Sequence, residues 1–175
     1  MQKLCVPILE MEDRMVKKLT IVLAIGVFFV FNLPAAMVSF LVIETGLNEE
    51  DPKRQHTQQW ENYLLDVFYE AGHIVCNAPI RRLEKKPSDE VPKEAKADFL
   101  EAAEVGVDYF IIAQLDYAPG SLKPNEISLK LYKMLPSPYK KIHEKHFAGK
   151  TYKTENEEND DLKKMAGDLI PFISN

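Results

Sequence analysis

YFIIAQL, residues 109–115, decides the fold. It holds a single polar side chain, Gln114, and its hydrophobicity is continuous rather than alternating, the mark of a strand covered on both faces. Such strands belong to sheets flanked by helices, so a helix is expected nearby in the chain. Residues 92–104 supply it, with Ala95, Phe99, Ala102 and Ala103 on the side to be buried and Gly106 beyond the end. On the other flank, Pro119, Gly120 and Pro124 make a loop. Ile127, Leu129 and Leu131 then alternate with Ser128, Lys130 and Tyr132, the pattern of a half-exposed strand. Leu135-Pro136-Ser137-Pro138 turns the chain, and residues 139–147 return as an antiparallel partner whose lysines suit an edge or a solvated face.

Further out, MVSFLVIET (37–45) is rich in β-branched and aromatic residues and is stopped by Gly46, so it reads as a buried strand. Thr57 is expected to cap a helix carrying Trp60, Leu64, Val67, Phe68 and Ala71 on one face, with Gly72 ending it. HIVCNAPI (73–80) reads as a strand in which Pro79 is tolerated only at the end or on an edge, and 81–93 as a charged surface loop. After an acidic linker, Leu162, Met165, Ala166, Leu169 and Ile170 repeat at helical spacing until Pro171. The order β-α-β-α-β-β-β-α predicts an α/β (α+β) fold with a single mixed sheet of about five strands. Right-handed crossovers make three of them parallel, and an antiparallel hairpin lies to one side. Trp60, Phe68, Ile111 and Leu169 are expected to bury together, each being on the apolar stripe of its element.

The beginning of the chain has a different character. Residues 19–43 carry no charge and follow Arg14, Lys17 and Lys18. The strongly apolar part, 19–31, is 13 residues long, which suits a signal-peptide core better than a span of about 20 residues. Asn32 and Pro34 break it, and Ala35 and Ala36 offer a cleavage site. Glu10, Glu12 and Asp13 put acid where a signal peptide is basic, so translation is expected to start at Met11 or Met15. Residues 1–36 thus read as a leader and 37–175 as an exported α/β domain, extracytoplasmic and in the periplasm. The competing reading is an uncleaved membrane anchor that uses the full 25-residue stretch 19–43.

With 22 basic and 27 acidic residues the net charge is −5, so no overall positive field exists to hold nucleic acid. Cys5 and Cys76 make no disulfide framework, and seven glycines leave little room for phosphate-cradling loops.

Three stretches carry a resemblance. WENYLLDVFYEAGHIV (60–75) resembles the first long helix and following strand of the TolB amino-terminal domain and its relatives, among them the curli-export lipoprotein CsgG and the penicillin-binding-protein activator LpoB. VGVDYFIIAQLDY (105–117) is similar to that group's strand opened by a Gly-x-Asp-Tyr type of sequence, and ISLKLYKMLPSPYKKIHEKHF (127–147) resembles its closing hairpin. The chain departs from the group in lacking a cysteine just after the apolar run and in having Ala113 and Gln114 where a glycine is common. The resemblance implies a periplasmic accessory domain working by contacts with envelope proteins.

Candidate chemistry is sparse. If the first three strands are parallel, their carboxyl ends meet at one edge, where open α/β sheets most often bind ligands, and there stand Glu44 with Thr45, Asn77 and Asp116. They form the candidate binding set: two carboxylates for a cation or for acid and base work, against the alternative of solvated strand ends. Cys76 sits mid-strand, where a buried inert thiol is the ordinary outcome. His143 and His146, three apart on a strand, face opposite ways and do not share a metal by spacing, and His73 is placed to cap a helix end. Arg81, Arg82, Lys85, Lys86 and Lys140, Lys141, Lys145 form basic clusters interrupted by acids. No catalytic residue, metal ligand or cofactor is expected. The function implied is a non-enzymatic adaptor of an envelope assembly; the alternative is a small extracytoplasmic hydrolase or metal-dependent enzyme using strand-end carboxylates.

Overall fold

The computed structural model describes residues 35–46, 55–87, 90–121, 123–136 and 138–173. Residues 1–34 of the expected leader 1–36 and the side chain of His56 lie outside the described residues, and residues 37–43 of the alternative anchor 19–43 belong to a sheet strand. One mixed sheet of six strands forms the body. Five run in the order β2-β1-β4-β5-β6, where β1 is Met37–Thr45, β2 Ile74–Asn77, β4 Tyr109–Asp116, β5 Glu126–Lys133 and β6 Lys140–Ala148. The sixth, β3 (Arg81–Leu83), also pairs with β1. The first four are mutually parallel, and β4-β5-β6 is an antiparallel meander. No helix among the described residues is long and apolar enough to cross a membrane.

Three helices pack on the sheet: α1 (Gln55–Glu70), α2 (Lys96–Glu104, entered through a 3-10 turn at Lys93–Ala95) and α3 (Glu155–Gly167). Period-two alternation splits the apolar strands between two cores. Val38, Phe40, Ile111 and Leu129 face α1 and α3, where Trp60, Phe68 and Leu169 join Ile111 as expected. Leu41, Ile43, Phe110 and Ile112 face α2 and its Phe99. α3 is set by its capping residue, the Thr154 hydroxyl accepting a hydrogen bond from the Glu157 N–H at 3.2 Å.

Several local expectations change. Thr57 is not a cap: it lies inside α1, buried, its hydroxyl 3.0 Å from that of Tyr117. The edge strand of 73–80 is broken in two. Ala78 N–H still bonds to the Phe40 carbonyl at 2.8 Å, Pro79 has no N–H to give, and pairing resumes as β3 inside what reads as loop. Cys76 is exposed rather than buried, because β2 is an edge strand with little packed on it. The outer face of β5 is not solvated either: Ser128 and Tyr132 are buried, the latter under Phe99 and with its hydroxyl donating to the Glu90 carbonyl at 2.9 Å.

Candidate functional site

The carboxyl ends of β1 and β4 stop in register, Glu44 beside Leu115 and Thr45 beside Asp116. Alternation therefore turns Glu44 and Asp116 to opposite faces of the same sheet end. Glu44 lies on the side of Leu115, the α1/α3 face, and is almost wholly buried; the Arg82 Nε sits 2.8 Å from its Oε2. Asn77 is not at this end. It pairs with Phe40, near the middle of β1, is exposed, and donates to Glu61 of α1. The three candidate residues thus occupy three different surroundings, and the two carboxylates are not turned toward a common ligand.

What the structure gathers instead is a polar cluster around Asp116 on the α2 face. Thr45 and Gln114 both donate to Asp116 Oδ1, the amide from 2.8 Å, and the Lys86 ammonium lies 2.6 Å from Oδ2. Lys86 also reaches Glu126 Oε2 at 2.9 Å, and His146 continues the chain of contacts with Nδ1 3.1 Å from Glu126 and Nε2 3.3 Å from Glu144. Gln114 and Thr45 are buried, whereas Lys86, Glu126 and His146 are about half exposed, with 50%, 42% and 54% of their side chains open to solvent. The cluster has a fixed polar floor and a charged rim.

Its electrostatics limit its chemistry. Burial works against charge on Asp116, but the hydrogen bonds from Gln114, Lys86 and Thr45 together outweigh it and hold the carboxyl below its usual value. Lys86 is raised, chiefly by its bond to Asp116, and Glu126 is lowered, chiefly by Lys86 and then by His146. A carboxylate held ionised, with both oxygens occupied, is a poor proton donor near neutral pH and a weak base. Among the described residues no group of three or more His, Cys, Asp or Glu side chains is disposed to hold a metal ion.

Among the described residues, five of the seven cations in the basic clusters are paired, Lys86 as above and four others. Arg81 forks onto Asp98 at 2.9 to 3.1 Å, Arg82 pairs with Glu44, Lys141 bonds Glu144 at 2.6 Å, and Lys145 bonds Asp168. His143 and His146 do face opposite ways, His143 stacking on Phe172 at 3.9 Å between ring centroids. A depression of about 320 Å³ at the start of α3 is also charge-compensated, its Asp161 held by Lys150 and the Tyr152 hydroxyl, each at 2.8 Å.

Sequence reasoning missed Lys86, Gln114, Glu126 and His146 as members of one cluster. Gln114 carried a signal, a lone amide in the most apolar strand. The other three are visible only once the β4-β5-β6 register is known, and Lys86 comes from a loop whose path nothing in the sequence dictates.

A PelC dodecamer from Paraburkholderia phytofirmans resembles the chain at 13% identity, with 81% of this chain and 89% of that chain covered and a TM-score of 0.42. The hypothetical protein CT253 from Chlamydia trachomatis does so at 11% identity, 78% and 95% coverage and a TM-score of 0.43. No curated protein matches the sequence. Residues 37–135, more than half of the chain and spanning β1 to the end of the β4-β5 pair, match the protein family described as "Uncharacterised protein", and the chain belongs to that family.

Proposed function

We propose that the chain is an exported accessory domain that works by protein contacts in a cell-envelope assembly and turns over no substrate. The observation that carries this reading is the commitment of the strand-end carboxylates. Glu44 and Asp116 point to opposite faces, each answered by a cation of its own chain, so these two are not placed to divide acid and base roles. What the same end offers outward is a rim of fixed charge, Lys86, Glu126 and His146, on a rigid sheet. Held in place by ion pairs, such a rim suits recognition of a charged protein surface, where complementarity sets partner and orientation more than affinity.

Export is supported by Arg14, Lys17 and Lys18 ahead of the apolar run 19–31, which also favours an extracytoplasmic location and, with the TolB-, CsgG- and LpoB-like sequence patterns, the periplasm.

The test is a photo-crosslinking side chain at position 146 in living cells, with Asp66 on α1 as the comparison site. The expected result is a discrete adduct with an envelope protein at 146, reduced when Lys86 is replaced by Glu. Recovery of the chain in the cytosol would overturn the export half. A hydrolytic activity of the purified protein that Asp116→Asn abolishes would replace the adaptor with an enzyme.

A further inference from the structure

The exposed apolar side chains are not scattered. Of the seven large ones exposed among the described residues, five gather at the end of the sheet where β1 begins: Tyr69, Ile74, Val105, Leu135 and Tyr139. The ladder defines that end. Ile74 pairs with Met37, Val38 with Tyr109, Tyr109 with Lys133, and Lys133 with Lys140. Leu135 and Tyr139 lie just past the last of these pairs, Val105 just before β4, and Tyr69 in the final turn of α1. Tyr69 is 75% and Val105 64% exposed, a poor arrangement for side chains left in water.

Two further facts say what covers them. The chain enters the body at this end, since Ala35 and Ala36 lead straight into Met37, and only residues 32–36 separate β1 from the apolar run 19–31. That connection spans no more than about 20 Å even fully extended. The Ala36 carbonyl moreover accepts the Ile74 N–H at 3.0 Å, and the Ala36 side chain packs on the α1/α3 core, so the residue just ahead of β1 is part of the folded body. The chemistry of the patch also fits a lipid interface. Two tyrosines present an apolar ring and a polar tip, aliphatic groups lie between them, and Lys133 and Lys140, neighbours across β5 and β6, supply cationic heads.

We propose that the domain rests on a lipid surface with this end down, Tyr69, Ile74, Val105, Leu135 and Tyr139 entering the headgroup layer. The charged rim around Asp116 then faces away from the membrane. The inference does not depend on the rim's having a partner.

The test uses the full chain in vesicles of phosphatidylethanolamine and phosphatidylglycerol with brominated acyl chains. Tryptophan is placed in turn at two exposed positions of this end, Tyr69→Trp and Val105→Trp, and at exposed Pro119 of the opposite end, Pro119→Trp, with buried Trp60 as the common background. Side chains seated about 5 to 10 Å into the interface should lose about half or more of their added emission to the bromines. The Pro119→Trp signal should not change. Equal quenching at all three positions, or none at 69 and 105, overturns the orientation. A lipid-independent dimer that shields 69 and 105 overturns the lipid contact and assigns the patch to a second copy instead.

Discussion

The two ends of the sheet are built on opposite principles. At the end where the parallel strands finish, polar side chains are satisfied pairwise: Glu44 by Arg82, Asp116 by Lys86, Gln114 and Thr45, and Glu126 by Lys86 and His146. At the end where they begin, aromatic and aliphatic groups are left open to solvent around the entry of the chain. Charge that must be near water costs little when paired at a surface, so the first end is complete in itself. Exposed apolar area gains stability when something covers it, so the second end is where a covering surface would add most.

The contrast can be broken most forcefully through Phe99, which ties the apolar end to the body. Its ring meets those of Phe110, Tyr132 and Tyr139 at 5.1, 5.2 and 4.6 Å between centroids, all edge-on. Phe99→Ala is expected to cost about 3 to 5 kcal/mol, measured by urea unfolding, because Phe99 is buried and α2 is the one helix over this face among the described residues. At the charged end, Lys86→Met removes two ion pairs yet should cost about 1 kcal/mol or less, its ammonium being half exposed. Equal costs would mean that the charged end is as structural as the apolar one.

A glycine from each end sharpens the same comparison. Gly46 closes β1 at φ +78°, and a Cβ there would stand 2.1 Å from the Tyr117 carbonyl oxygen, a backbone atom that cannot move aside. Gly106 precedes β4 at φ +83° with open space around it. Gly106→Ala should lose about 1 kcal/mol, the cost of the left-handed conformation alone. Gly46→Ala adds a clash to that cost and should lose roughly 2 to 3 kcal/mol. Matching thermal shifts for the two would show that the charged end yields as freely as the open one.

Most of the fold was legible because it follows from burial. The continuous run 109–115, the stripe on 60–71 and the alternation of 127–131 each report which faces are covered, and the two-sided sheet follows from them. The site was less legible because it depends on register. Glu44 and Asp116 do stand at one sheet end, but a one-residue offset between them reverses the face, and composition is blind to that offset. Asn77 fails to reach the same end because Pro79 stops β2 opposite the middle of β1, and the strand that does reach it, β3, is too short and too charged to be read as one. Tyr132 misleads for a similar reason: alternation alone marks it as outward, whereas α2 makes both faces inward.

The smallest effect expected is also the most specific to the charged end. The Asp116 carboxyl titrates below its ordinary value of about 3.9. A group depressed on folding contributes stability that is present above its unfolded value and disappears as pH falls through the folded one. Asp116→Asn keeps the shape but removes the charge and turns an NH2 group toward one set of the donors that the two carboxylate oxygens accept from, so the variant should be slightly less stable than the natural chain near pH 7. The deficit should shrink as the medium is acidified below about pH 4 and vanish once the natural carboxyl is protonated. The full difference should stay within about 1 kcal/mol, because Lys86 is half exposed and water screens the pair. Urea midpoints of both proteins from pH 7 to pH 2.5 measure it, with m-values checked for constancy. A deficit that grows in acid would mean that burial, not hydrogen bonding, governs Asp116, and the charged end would then be a strained site rather than a satisfied one.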